Sequence, residues 1–173
     1  MDKVIDFEGR VDKSKSIVLM LSHWNYWRMT QKCIDNIRKF TDLSDVSLLI
    51  VDDFSDEEDS IKWVKESKES ILRTDFNYHH NAIVRNLLNY TQEIASIKYV
   101  CVMNNDILVT RDWLKRMLFC MDNISHLALM GVKDNNDYHL YQYFPIPPEF
   151  QPRFNRWEET MDDLKLQEYV EKE

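Results

Sequence analysis

The chain has 173 residues and a formal net charge of -8, long enough for one domain with its own apolar core. Hydrophobic residues make up 44% and charged residues 30%, which excludes a disordered chain. The acidic balance argues against duplex nucleic acid or an anionic membrane as partner, because both demand a basic face.

Met1 to Lys15 is charged and lacks an apolar centre, unlike a signal peptide. The first apolar run, Ile17–Leu21, is continuous and partly β-branched. It predicts a strand buried on both faces, ending at Ser22-His23-Trp24-Asn25. Trp27, Cys33, Ile34, Ile37 and Phe40 then recur at helical spacing. Val46–Val51 predicts a second strand that stops at Asp52-Asp53-Phe54-Ser55-Asp56. Ile61, Trp63 and Val64 mark the next helix, with Ser55 or Asp56 expected as its N-cap. A short strand at Ile71-Leu72 precedes a polar stretch to Asn81, and Ile83, Leu87, Tyr90 and Ile94 predict a third helix.

Tyr99–Met103 is the third strong strand, ending at Asn104-Asn105-Asp106. Thr110 is expected to cap a helix carrying Trp113, Leu114, Met117, Leu118 and Met121, and Leu127–Met130 to form a last core strand. Beyond Gly131, a hairpin is expected over Asp134 to Tyr143. All four prolines follow between Pro145 and Pro152 as an extended connector, then an acidic tail from Trp157 to Glu173. The expected organisation is an N-terminal extension 1–15, a core 16–133 and an irregular region 134–173. Alternating strands and helices make the core an α/β fold, a mostly parallel sheet sandwiched by helices. Ligands in such sheets sit at the carboxyl ends of the strands, and three strands here end on polar or acidic residues.

Only two glycines, Gly9 and Gly131, occur in the chain, which excludes a glycine-rich phosphate loop. Phosphate bound by so acidic a protein calls for a metal to offset its charge. Asp106, after an apolar strand, suits magnesium or manganese, which bind few protein carboxylates together with substrate phosphates; an Asx-type turn is the other reading of that triplet. Asp52-Asp53 fits either a ligand-binding carboxylate or a helix-capping turn. Trp24 can stack on a nucleobase or close the core edge, and Arg85, near a helix start, can grip a diphosphate or lie on the surface. His79-His80 is a poor metal pair, since neighbours on an extended segment point apart; His23, His126 and His139 are assigned no role. Cys33, Cys101 and Cys120, odd in number and set in apolar patterns, read as reduced thiols of a cytoplasmic protein. No stretch is apolar and long enough to span a bilayer.

Four segments in order carry a resemblance: Leu21-Ser22-His23-Trp24-Asn25, Val51-Asp52-Asp53-Phe54-Ser55-Asp56, Asn81-Ala82-Ile83-Val84-Arg85-Asn86, and Asn104 through Leu114. Ser16 to Val132 resembles the donor-binding half of the GT-A glycosyltransferases, the large inverting family 2, with Phe54 where that family carries glycine. The resemblance implies a Rossmann-like nucleotide-sugar fold. Ser22, Trp24 and Asn25 would belong to the nucleotide site, with Asp53 bonding the base and Asn104 and Asn105 near the ribose. Arg85 would approach the diphosphate and Asp106 would bind manganese or magnesium. The partner implied is a nucleotide-diphosphate sugar, with a glycan, lipid-linked or protein acceptor. The family's acidic general base has no clear copy; Glu158, Glu159, Asp162 and Asp163 are the acids available after the core. Further domains or a partner chain could supply it. Two other classes fit parts of the pattern: a non-catalytic or truncated nucleotide-sugar-binding domain, and a receiver-like phosphoacceptor domain. In the latter, however, the acid pair should follow the first strand.

Overall fold

The structure, a computed structural model, describes residues 4–130. The hairpin expected at Asp134 to Tyr143, the proline segment and the acidic tail lie outside the described residues. The chain divides into two units, Met1–Arg38 with Asp42–Ile107, and Lys39–Thr41 with Leu108–Glu173.

The first unit holds a four-stranded parallel sheet in the order β3-β2-β1-β4, built from β1 (Ile17–His23), β2 (Val46–Asp52), β3 (Ile71–Arg73) and β4 (Tyr99–Asn104). The helices that connect them are α1 (Trp27–Phe40), α2 (Glu58–Glu66) and α3 (His80–Thr91). The expected α/β fold with a parallel sheet is what forms. The β1-α1-β2 and β2-α2-β3 crossovers step the same way along the sheet, and the β3-α3-β4 crossover returns past β1. Right-handed crossovers therefore set α1 and α2 on one face and α3 on the other. The strand order reverses between β1 and β4, and in open α/β sheets that reversal is where a ligand crevice opens.

Strand residues alternate between the faces. Val18, Met20, Leu49 and Val51 join Ile83 and Leu87 of α3 in one buried cluster. The N-terminal segment completes it: Ile5, Phe7 and Val11 are buried there, although that stretch shows no apolar run in sequence. A single deeply placed aromatic such as Phe7 carries enough apolar area to anchor a charged segment. On the other face Leu19 and Leu21 are buried, as are Cys33, Ile34 and Ile37 of α1.

Three local expectations are corrected. The N-cap of α2 is Glu57, without a side-chain cap bond, because the Ser55 hydroxyl donates instead to Asp52. In the second unit, α4 (Trp113–Asn123) starts after Asp112 in a left-handed conformation at φ 57°, so Thr110 is not its cap. Aspartate tolerates that conformation better than most residues. Within the same unit, Trp113 Nε1 donates to Thr41 Oγ1 at 2.8 Å. Leu127–Met130 forms no strand, and Leu129 is 87% exposed; a four-residue apolar run does not by its periodicity separate strand from coil.

Candidate nucleotide-binding cleft

At the carboxyl edge of the sheet, Ser22 pairs in register with Val51 on one side and Asn104 on the other, and His23 pairs with Asp52. Paired residues share a face, so Ser22 and Asn104 turn towards α3 while His23 and Asp52 turn towards α1 and α2. A cleft of about 280 Å³ opens on the α3 side, lined by Ser22, Trp24, Asp53, His80, Asn104 and Asn105 among others. That volume lies near the lower end of the ~300–1,000 Å³ typical of ligand sites.

The acid pair after β2 divides its labour. Asp52 is fully buried and forms an ion pair with Arg73 Nη1. It also accepts hydrogen bonds from the Ser55 hydroxyl and from the Ser55 N–H at 3.1 Å. Arg73 donates a second bond to the Ser55 carbonyl at 2.7 Å. Asp53 turns the other way and accepts the N–H groups of Tyr78 at 2.7 Å and His79 at 2.9 Å. It thereby holds the loop from β3 to α3 as one wall of the cleft. Asp53 Oδ1 also lies 3.5 Å from the Thr74 hydroxyl, Oδ2 keeps acceptor capacity beyond its bond to His79, and Asp53 lines the cleft.

Trp24 is 49% exposed at the cleft. Asn25 is buried, with its amide committed to the neighbouring turn. It donates to Asp56 Oδ1 at 2.6 Å and accepts from the N–H groups of Asp56 and Glu57 at 3.0 and 3.1 Å. It holds the turn that presents Trp24. Asn25, Arg85 and Asp106 are not among the residues lining the cleft. Arg85 is exposed in the second turn of α3. Asp106 is exposed in the turn directly after β4, two residues beyond the cleft-lining Asn104.

Among the described residues, no group of three or more His, Cys, Asp or Glu is arranged to hold a metal. An exposed lone carboxylate at a strand end fits the alternative arrangement, one protein oxygen with the remainder supplied by substrate phosphates and water. Cys33, beneath this turn, has its thiol pushed up to about 12 by burial.

Sequence reasoning missed three histidines. His80 Nδ1 lies 2.7 Å from Ser22 Oγ, and His79 and His80 both line the cleft; the extended segment expected to carry the pair ends at His79, since His80 opens α3. His23 also lines the cleft, with its side chain buried against Trp63, ring centroids 5.1 Å apart. His79 also holds φ 62° and ψ 149°, a region that glycine alone enters freely and that costs other residues ~1–3 kcal/mol. His79→Gly is expected to stabilise the fold by up to ~1 kcal/mol, the relieved strain less the greater entropy of an unfolded glycine. Urea denaturation measures it, and a loss of stability would show that the His79 side chain contributes more than its backbone costs.

The family model described as "Glycosyl transferase family 2" matches residues 18–169, while no curated protein matches the chain. The match starts inside β1, takes in every strand and helix described above and extends well past the described residues. With a crevice at the strand-order reversal and so long a match, the chain belongs to glycosyl transferase family 2.

Proposed function

We propose that this chain moves a sugar from a nucleotide-diphosphate sugar to an acceptor hydroxyl, with inversion at the anomeric carbon and with divalent-metal assistance. The observation that carries the reading is the register that sets Ser22 of β1 opposite Asn104 of β4, with Asp53 on the same cleft. Trp24 supplies a stacking face, Asp53 and Ser22 supply base contacts, and Asn104 and Asn105 face the ribose. Arg85 and the N-terminus of α3 favour the diphosphate. Asp106 holds manganese or magnesium, whose charge offsets that developing on the diphosphate leaving group. The acceptor hydroxyl requires a carboxylate base within hydrogen-bond reach, directly or through one water. Glu158, Glu159, Asp162 and Asp163 lie inside the family match and outside the described residues. The three free cysteines support a reducing compartment, the cytoplasm. Among the described residues no helix is long and apolar enough to cross a membrane.

Titration calorimetry with a panel of nucleotide sugars, with manganese and in chelator, tests the reading. One nucleotide class should bind, and only with metal. Asp106→Asn should weaken that binding by at least about tenfold, equivalent to ~1.4 kcal/mol, with the far-ultraviolet dichroism unchanged. Undiminished affinity in chelator would overturn the metal's part. Transfer itself is read from release of nucleoside diphosphate, and inversion from the anomeric configuration of the product.

A further inference from the structure

Beneath the cleft runs a chain of polar side chains that leads from the end of β1 to the turn after β4. Thr30 of α1 is 0% exposed and His23 is 1% exposed. Thr30 Oγ1 lies 2.7 Å from His23 Nδ1 and accepts a hydrogen bond from Asn105 Nδ2 at 2.9 Å. The Asn105 amide nitrogen can only donate, so it leaves the hydroxyl proton of Thr30 available to His23 Nδ1. With Thr30 donating to Nδ1, the neutral imidazole carries its proton on Nε2. The Nε2–H then faces Asp52 Oδ1 at 4.0 Å, beyond hydrogen-bond range, and Nε2 has no hydrogen-bond partner. The opposite tautomer would set a bare nitrogen lone pair against a buried carboxylate. The main chain of His23 holds the other wall of the cleft, since its carbonyl accepts the N–H of Asp53 at 2.8 Å.

We propose that His23 and Thr30 are positioning residues, which fix the Asn105 side chain and thereby set how the Asn104–Asp106 turn is presented to the donor. The donor half of this inference rests on the function proposed above; the positioning half does not. An asparagine in a strand-end turn has several rotamers, and a buried acceptor that satisfies its amide selects one. Burial of Thr30 and His23 makes the selection rigid, because either one that loses its partner is left unsatisfied away from water. The imidazole stays an acceptor at Nδ1 at neutral pH because burial, the largest influence, outweighs the attraction of Asp52 and pulls its pKa down to about 4.

The test uses the full chain with Thr30→Val, which keeps the volume and removes the hydroxyl, and Thr30→Ser, which keeps the hydroxyl and removes a buried methyl. In nitrogen-15 spectra of the unmodified chain, His23 should show an unprotonated Nδ1 and a protonated Nε2. Thr30→Val should shift the Asn105 side-chain amide and the backbone amides of Asn104, Asn105 and Asp106, and leave those of Ile17 to Leu19 in place; Thr30→Ser should restore them. Uridine and guanosine diphosphate with manganese serve as binding probes. Whichever binds should lose about tenfold affinity in Thr30→Val and recover to within about twofold in Thr30→Ser, although Thr30→Ser melts lower. A purely structural role predicts the reverse, affinity following melting temperature across both variants, and that result overturns the inference. Unmoved turn amides in Thr30→Val overturn it as well and leave the proposed function standing. If neither diphosphate binds the unmodified chain, the nucleotide class that the panel of sugars identifies takes their place as probe; if no class binds, the function proposed for the cleft falls, and the amide and imidazole shifts still decide the positioning role.

Discussion

Replacing Arg73 with methionine is expected to destabilise the fold by about 3–5 kcal/mol, a large part of the ~5–15 kcal/mol of a typical domain. Arg73 forms the ion pair with Asp52, whose side chain is 0% exposed, while its own is 29% exposed. The guanidinium also donates to the Ser55 carbonyl and lies 5.4 Å from the centroid of the Phe54 ring. Methionine keeps much of the length and leaves Asp52 charged and buried with only the Ser55 groups to satisfy it. Removing one partner of such a pair costs far more than removing both. The double variant Asp52→Asn with Arg73→Met should therefore recover much of the loss, because asparagine still offers Ser55 an oxygen and carries no charge. Urea denaturation of the four members of the cycle measures the coupling. A cost below about 1 kcal/mol for Arg73→Met alone would mean that Asp52 is stabilised by its serine contacts and that the ion pair contributes little.

The same residues show how far the sequence could be read. The Ile17–Leu21, Val46–Val51 and Tyr99–Met103 runs announced strands because strands covered on both faces need unbroken apolar stretches, and β1, β2 and β4 contain them. The polar ends of those runs located the carboxyl edge and its cleft. Periodicity could not say which member of Asp52-Asp53 turns inward, since that depends on register, and register is set by the partner strands. Nor could it reveal that Phe54, at φ 63°, takes a left-handed backbone in the place of a family glycine, with the Arg73 guanidinium beside its ring. His23 was illegible for a related reason. A histidine at a strand end reads as solvent-facing until Thr30, seven residues on, and Asn105, from a distant turn, are brought to it by α1 and β4. Helix caps failed where another side chain claimed the hydroxyl, as Asp52, three residues upstream, claims Ser55. The N-terminal segment failed because Ile5, Phe7 and Val11 are spaced too widely to make a run, yet the fold gathers them onto one face.

His23 also makes stability depend on pH in a defined window. Its pKa is lowered from 6.5 to about 4. Burial is the dominant cause; Asp52 and Glu57 pull the other way, and Arg73 adds to the lowering. In the unfolded chain the imidazole takes up its proton near 6.5, while in the folded chain it resists until about 4. Between those values the unfolded state binds more protons, so stability falls as the pH falls. The contribution is fully present above about pH 6.5, declines through the window and is gone below about pH 4. At ~1.4 kcal/mol per pH unit the whole change amounts to ~3 kcal/mol. Other groups titrate over the same range, and subtracting a variant removes them. His23→Gln has no proton to gain there, so the stability difference between the unmodified chain and His23→Gln should shrink by about 3 kcal/mol between pH 7 and pH 4, whatever its value at pH 7. Urea denaturation at half-unit pH steps supplies both curves, with the m-value checked for constancy. A difference that stays flat across the window would mean that the imidazole is as readily protonated in the fold as out of it. The bond from Thr30 to His23 Nδ1 would then not survive mild acid. A difference that shrinks instead identifies His23 as a neutral acceptor throughout the range in which a donor would bind.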